Sequence, residues 1–380
     1  MSIRVLSVVL NNFKNDTRVI KEGISLKKAG YNVKIIALHE NGFPEKAIEH
    51  TLNVHRIKLA TRSWAKIKPI QLIKYFEFIL RVLFSYSKCA DVIHCHDLNA
   101  LPIGILSKLL TLGRVKVVYD AHEFETEVHG LSRSSKFLMR ILEKLCIKFT
   151  DENIIPSRLA AEAYAEMYSI DPPEQVLNCP YYSKVEATSV LRDEFSIRDD
   201  QKIFLYQGIL AQGRGIEILL DVFSKLESND AIMIFMGFGP FEGMIKSYSK
   251  KYESIIFREA VSPDILHSYT ASCDVGISFI EDTCLSYKYC MPNKLFEYLM
   301  AGLPVLVSAR PLMQEIVEKE SVGIVALSDD SAGFKNAIES IIDSDFDTMR
   351  NNVAKLRETK KFSWEKQEEK LLQIYQRLTC

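Results

Sequence analysis

Residues 292–308 read PNKLFEYLMAGLPVLVS. Pro292 suits the first turn of a helix, where an N–H would have no intrahelical partner, and Asn293 gives that turn a polar start. LFEYLMA continues as a helix, Gly302 ends it, and PVLVS reads as a buried strand. One carboxylate, Glu297, stands in the middle of this mostly apolar helix. Burying a carboxylate without donors is costly, so the position calls for a dedicated partner, and the two hydroxyls of a ribose diol would supply one. By residue type alone, a single helical Glu is more often a surface residue.

The same alternation of apolar strand and amphipathic helix extends upstream. IFLYQG at 203–208 predicts a strand, RGIEILLDVFSKL a helix, AIMIFMGFG a strand and FEGMIKSYSKKY a helix, with IIFREA and VGISFI as further strands. The first half repeats the pattern. Strands are expected in IRVLSVVL (3–10), VKIIALH (33–39), DVIHCHD (91–97), VKVVYDAHE (115–123) and ENIIPS (152–157), and helices in VIKEGISLKKAG, LPIGILSKLL, about 134–149 and RLAAEAYAEMY. LNCPYYSK at 177–184 breaks the period and suits a linker. The expected fold class is therefore α/β, with two doubly wound Rossmann-like domains, 1–180 and 181–362. Such sheets bind ligands at the carboxyl ends of their strands, and two of them in tandem would place a site in the cleft between them.

Composition agrees with two folded domains: 380 residues, 47% hydrophobic and 26% charged. No run reaches the roughly 18 apolar residues of a membrane span, and the N-terminus turns polar too early for a signal peptide, so a cytoplasmic chain is expected. Eight cysteines are scattered without C-x-x-C pairs or zinc spacing, which suits a reducing compartment and reads most of them as small apolar residues. The net charge of −1 hides an asymmetry. Residues 1–150 carry 24 Lys and Arg against 13 Asp and Glu, and the remainder 24 against 36. The first half should favour an anionic partner; no nucleic-acid partner is expected.

The stretch at 292–308 resembles the donor-binding helix of the retaining glycosyltransferases of family 4 (glycosyl transferases group 1). There a Glu followed by small residues, Gly and Pro-Val holds a ribose. YQGILAQGRGIEILLDVF (206–223), MGFGPFEGMI (236–245) and FSWEKQEEKLLQIYQRL (362–378) fall in the order this family uses. The resemblance implies a GT-B fold, two domains facing each other across a cleft, with the last helix (363–380) packing back on the first. It implies a nucleotide-diphosphate sugar as donor, and Glu297 as its ribose ligand beside Asn293 and Leu295. In the loop GILAQGRG, beginning at Gly208, the family's second basic diphosphate ligand is Arg214. The first is replaced by Ile209, leaving Lys294 as substitute. Gly237 and Gly239 of GFGP would lie near the base. A second Glu common in the family is Tyr289 here, so Glu281, with Asp282, is the candidate for sugar contacts.

On the acceptor side, His122 in YDAHEFETE matches the family's active-site His, flanked by Glu123. His96 and Asp97 end an equivalent strand. The loop NNFKNDTR (11–18) replaces a glycine-rich acceptor loop. Asn12, Asp16 and Arg18 are its candidates for an anionic group at a helix N-terminus, although Asp16 also suits a helix cap. Residues 56–88 hold eight Lys and Arg against the single acid Glu77, with Lys74, Arg81 and Lys88 every seven residues. That segment is either an amphipathic helix at an anionic membrane surface or a helix packed on the first sheet with a solvated basic edge. The resemblance implies transfer to a glycan or lipid-linked acceptor, without cofactor or metal, with Arg214, Lys294 and a helix N-terminus stabilising the departing diphosphate. A nucleotide-sugar 2-epimerase and a non-catalytic nucleotide-sugar-binding subunit are the alternatives.

Overall fold

A computed structural model describes residues 2–65, 67–184, 186, 188–226, 230–343 and 345–379; Lys66 of the basic segment and Cys380 lie outside these. The chain divides into two compact units. One runs to Val176 and takes in the residues from Gln367 onward, and the other is Leu177–Lys366.

The first unit is built on eight strands: β1 (Arg4–Val8), β2 (Asn32–Leu38), β3 (Lys46–Glu49), β4 (Leu52–Ile57), β5 (Val92–His96), β6 (Lys116–Asp120), β7 (Glu152–Ile155) and β8 (Glu174–Gln175). Their order is β3-β4-β2-β1-β5-β6-β7-β8, parallel throughout except for the antiparallel pair β3 and β4. The chain leaves β1 toward β2 and returns to β5 on β1's other side, so the topological switch point, where such sheets bind ligands, lies between β1 and β5. Helices α1 (Thr17–Lys28), α2 (Lys68–Tyr86), α3 (Leu101–Leu110), α4 (Arg133–Ile147) and α5 (Arg158–Tyr168) make the crossovers and connections. A final helix, Trp364–Thr379, ends in this unit. There Tyr375 packs edge-on against Tyr31, and Arg377 pairs with Glu174 at 2.8 Å.

The β3–β4 hairpin was not expected from the sequence. Its turn, His50-Thr51, has φ of 49° and 69°. Tight hairpins need such positive values and usually announce them with Asn or Gly, so this pair is silent in the sequence.

The second unit has β9 (Lys202–Ile209), β10 (Ala231–Phe238), β11 (Ile255–Glu259), β12 (Val275–Ser278), β13 (Val305–Ser308) and β14 (Gly323–Ala326) in the order β11-β10-β9-β12-β13-β14. All neighbours are parallel. The helices that matter for its site follow α6 (Val190–Phe195): α7 (Ile216–Ser224), α8 (Glu242–Ser249), α9 (Pro263–Ala271), α10 (Leu285–Lys288) and α11 (Asn293–Met300). Successive side chains of a strand point to opposite faces. Phe204, Tyr206, Met233 and Phe235 therefore fill one core layer, while Ile203, Leu205, Ile232 and Ile234 fill the other. Each such buried side chain contributes about 1.5–3 kcal/mol relative to exposure. This continuous two-faced burial is why these strands read as unbroken apolar runs. The second switch point lies between β9 and β12.

Candidate donor and acceptor sites

At the second unit's switch point, β9 ends beside the start of α11. Glu297 is half-buried there, and its Oε2 accepts from Gln207 Nε2 at 2.5 Å. The Thr270 hydroxyl fixes Gln207 by donating to its Oε1 at 2.8 Å, and the backbone N–H of Gln207 donates to the Tyr298 hydroxyl at 2.9 Å. The carboxylate is thus tethered at a strand's carboxyl end, and Gln207 accounts for one of its roughly four acceptor positions.

Two cations stand close by, each lying over an aromatic ring. Lys294 Nζ is 3.5 Å from the Tyr206 ring centroid, and the Arg214 guanidinium is 4.7 Å from that of Tyr287. Among the described residues neither is in an ion pair. Burial, then the charge of Arg214, pushes the Lys294 amine well below its ordinary value, while Glu297 pulls the other way. A dianionic ligand between these groups would restore the ammonium. The Arg214 loop allows no bulk on either side. Gly215 has φ 67°, and a Cβ there would lie 2.0 Å from the Phe279 ring. A Cβ on Gly237 would lie 1.9 Å from the carbonyl oxygen of Gly208, so these two strand ends meet backbone to backbone. Gly239 donates its N–H to Glu242. Asn293 is exposed at the first turn of α11.

Two donor-side expectations are corrected. Leu295 is fully buried in a core layer, because α11 turns that face onto the sheet. Glu281 is drawn into the loop of its own domain: its Oε1 accepts from the Gly215 N–H at 3.1 Å, and its own N–H donates to the Gly213 carbonyl. It braces the Arg214 loop and caps α7. Asp282, beside it, pairs with Arg310 at 3.3 Å.

In the first unit the carboxyl ends of β1, β5 and β6 and the first turns of α1 enclose a buried polar cluster. Asp120 is its centre. Arg18 donates to both of its oxygens, at 2.7 and 2.6 Å, and also to the Val176 carbonyl at 2.8 Å. His96 Nδ1 lies 3.3 Å and His122 Nε2 3.2 Å from Oδ2. Ser7 bonds His96 at 2.8 Å, Tyr375 bonds His94 at 2.9 Å, and the two histidines stack. Arg18 and His122 overcome burial to hold the Asp120 carboxyl well below its usual range. Burial and the nearby Asp120 raise Glu22 instead, with Arg18 opposing. For His122, burial is outweighed by Asp97 and Asp120, and its pKa is raised to about 9. Both ring nitrogens face carboxylates, with Nδ1 3.4 Å from Asp97, so what the imidazole offers outward is positive charge. Asp97 adopts φ 64°, an uncommon conformation that aspartate tolerates. Burial and Asp97 push the Glu125 carboxyl well up, so it keeps its proton and hydrogen-bonds Asp97.

Ligand atoms of Glu22, His94, His96 and Asp120 lie within 4.8 Å of one another; the cation that compensates them is Arg18. Arg18 is accordingly not an open anion ligand, which corrects its acceptor-side role. Asp16 caps α1 by accepting from Val19 N and is itself bonded by Asn11, so the helix N-terminus is closed. Asn12 is tied to Glu40 at 2.6 Å. His96 is buried, whereas Asp97 and Glu123 reach the surface. The sequence reading missed Asp120, Glu22, His94 and Glu125 in this unit, and Gln207, Tyr206 and Tyr287 in the other. A usable signal existed for two: His94 and His96 at i and i+2 share one face of β5, and Arg18 and Glu22 at i and i+4 share one face of α1.

Comparison with known proteins follows the same division. Residues 18–178 match the Glycosyltransferase Family 4 model, and residues 201–344 match Glycosyl transferases group 1. An uncharacterised glycosyltransferase of Methanocaldococcus jannaschii is 23% identical, covering 92% of this chain and 90% of its own. The chitobiosyldiphosphodolichol beta-mannosyltransferase of Kluyveromyces lactis is 21% identical over 84% of this chain and 78% of its own. Among solved structures, HepE of Anabaena in complex with UDP-glucose superposes with a TM-score of 0.73 at 15% identity, covering 98% of this chain and 99% of that one.

Proposed function

The chain belongs to the family 4, group 1 glycosyltransferases of GT-B fold, and we propose that it moves a sugar from a UDP- or GDP-sugar to a glycan or lipid-linked acceptor in the assembly of cell-surface polysaccharide or glycolipid. The reading includes retention at the anomeric carbon, no metal requirement, and work at the cytoplasmic face of a membrane. The observation that carries it is the trio of Glu297, Arg214 and Lys294: a tethered carboxylate for a ribose diol beside two ring-backed cations without carboxylate partners for a diphosphate. A solved neighbour holds UDP-glucose, and a curated relative is named for a diphosphodolichol-linked acceptor.

Chemically, the bond from the anomeric carbon to the diphosphate oxygen breaks and a bond to the acceptor oxygen forms on the same face. The acceptor proton passes to the departing diphosphate. Arg214, Lys294 and the N-terminal ends of α7 and α11 stabilise the charge that develops there. In the first unit, the surface-reaching Asp97, braced by Glu125 and His122, is the carboxylate on offer to an acceptor hydroxyl.

Thermal-shift screening of UDP-, GDP- and other nucleotide sugars, then turnover with and without a lipid extract, tests the reading. Stabilisation by one donor and lipid-dependent transfer, with the product's anomeric configuration read by NMR, is the expected result. Donor conversion that ignores acceptor would point to an epimerase, and binding without turnover to a non-catalytic subunit.

Lys294 adds a pH signature. Its free-state pKa is depressed and a bound diphosphate raises it, so binding takes up a proton and UDP affinity weakens as pH rises through that interval. Calorimetry in buffers of different ionisation enthalpy should show net proton uptake that disappears in Lys294→Met. Uptake unchanged by the substitution would remove Lys294 from the phosphate site.

A further inference from the structure

We infer that the outer face of helices α2, α3 and α4 docks the first unit on an anionic phospholipid bilayer. The crossovers β4–α2–β5, β5–α3–β6 and β6–α4–β7 all advance in one direction along the sheet. Right-handed connections therefore put the three helices on the same side, and α3 packs between the other two. Their outward faces form one surface. Of the 25 large apolar side chains exposed among the described residues, 17 fall between Trp64 and Phe149, in or beside these helices. Phe84 is 81% exposed, Leu112 95%, Leu138 65% and Leu145 64%. Soluble surfaces scatter such residues singly, whereas a contiguous cluster marks something that covers it.

Charge identifies the cover. The three helices contain two acids. Glu143 is buried under the hydroxyls of Tyr119, Tyr164 and Tyr168, and Glu77 is used by the Ala60 and Thr61 N–H groups and by Arg81. No acid on these helices is exposed, while Lys68, Arg81, Lys88, Arg133, Lys144 and Lys148 in or beside them are; Lys108, Lys136 and Arg140 are half-buried and paired with Asp151 and Glu127 of the adjoining segments. The basic segment anticipated at 56–88 is thus only one edge of the surface. Lys74 is not part of it, since it is buried and donates to the Arg62 and Trp64 carbonyls. A second copy meeting this face would set positive against positive, whereas an anionic bilayer takes up both the apolar side chains and the charge. No described helix is long and apolar enough to cross a membrane, so the contact lies in the interfacial plane.

The inference deepens the lipid-linked acceptor reading and rests on it for its purpose, although not for its physical support. Co-sedimentation of the full chain with vesicles of phosphatidylcholine alone, or with a third phosphatidylglycerol, tests it at low and high salt. Binding is expected to require the anionic lipid and to weaken with salt. It should fall on the order of tenfold or more in Leu138→Glu/Leu145→Glu and in Lys144→Glu/Lys148→Glu, given about a fivefold contribution per basic residue. Neither pair touches the donor machinery, so UDP-sugar binding should be unchanged, which also reports that the variants fold. Failure of the wild type to bind anionic vesicles would overturn docking, as would a dimer by light scattering that the leucine variants dissociate. Vesicle binding without any nucleotide binding would support docking and sink the transferase reading instead.

Discussion

Replacing Glu297 with alanine should weaken nucleotide-sugar binding by at least about a hundredfold while the protein stays folded. Hydrogen bonds to a charged acceptor contribute roughly 1.5–3 kcal/mol each, and a ribose diol makes two. The residue is half-buried and on the surface of α11 rather than in a core layer. Removing the carboxylate takes an acceptor from Gln207 Nε2, and the position outside the core layers keeps the structural cost modest. Glu297→Asp shortens the side chain by one methylene and should lose most of the same affinity, because the diol contact depends on reach. Calorimetry with the best donor decides it. Affinity unchanged within twofold in the alanine variant would remove Glu297 from the ribose site.

The second large effect concerns Asp120. Asp120→Asn leaves Arg18 buried with its principal counter-charge gone, a change that costs about 3–5 kcal/mol when nothing replaces it. Glu22 can ionise in response and recover part of that, so about 3 kcal/mol is expected. For a unit of this size that is roughly a 6–12 °C fall in Tm. Turnover should fall with it, because His122 loses one of the two carboxylates that hold it. The sign of the pH dependence is specific. The folded-state pKa of His122 is raised to about 9 from an ordinary 6.5, so the folded form binds the extra proton. Its stabilisation is complete below about pH 6.5 and is lost as pH rises toward 9. Wild-type Tm should decline across that window, and the decline should flatten in Asp120→Asn. NMR titration of the histidine ring protons would show His122 moving back toward its ordinary value. An unchanged Tm profile together with an unmoved His122 titration would contradict the network.

Much of this architecture is legible in the sequence for a physical reason. Parallel strands covered on both faces must be apolar at every position, so KIFLYQGI and AIMIFMGF announce themselves. The β3–β4 hairpin does not, because His50 and Thr51 carry positive φ without the usual residues. The site was legible where one segment brings its own constraints. Gly213 and Gly215 flank Arg214 in one loop, and Glu297 sits on one helix. It was illegible where the partner is distant in sequence. Arg18 at the first turn of α1 looks like an anion ligand until Asp120, 102 residues away, takes both of its donors. Glu281 resembled a sugar ligand in a loop after β12, yet it answers the Gly215 N–H, 66 residues earlier. Lys74 kept a seven-residue rhythm with Arg81 and Lys88, but two carbonyls of the preceding loop draw it inward.

In the proposed reading the second unit's cations and carboxylate hold a nucleoside diphosphate and the sugar attached to it. Calorimetric titration of the whole chain with UDP and GDP, their monophosphates and the bare nucleosides tests it. A diphosphate engaging both Arg214 and Lys294 should bind at least tenfold more tightly than the matching monophosphate, and the nucleoside should bind more weakly still. In Arg214→Ala that advantage should shrink severalfold, and in Arg214→Ala/Lys294→Met it should fall to near unity. Equal affinity for mono- and diphosphate in the wild type, or a diphosphate preference that survives Arg214→Ala undiminished, would contradict it.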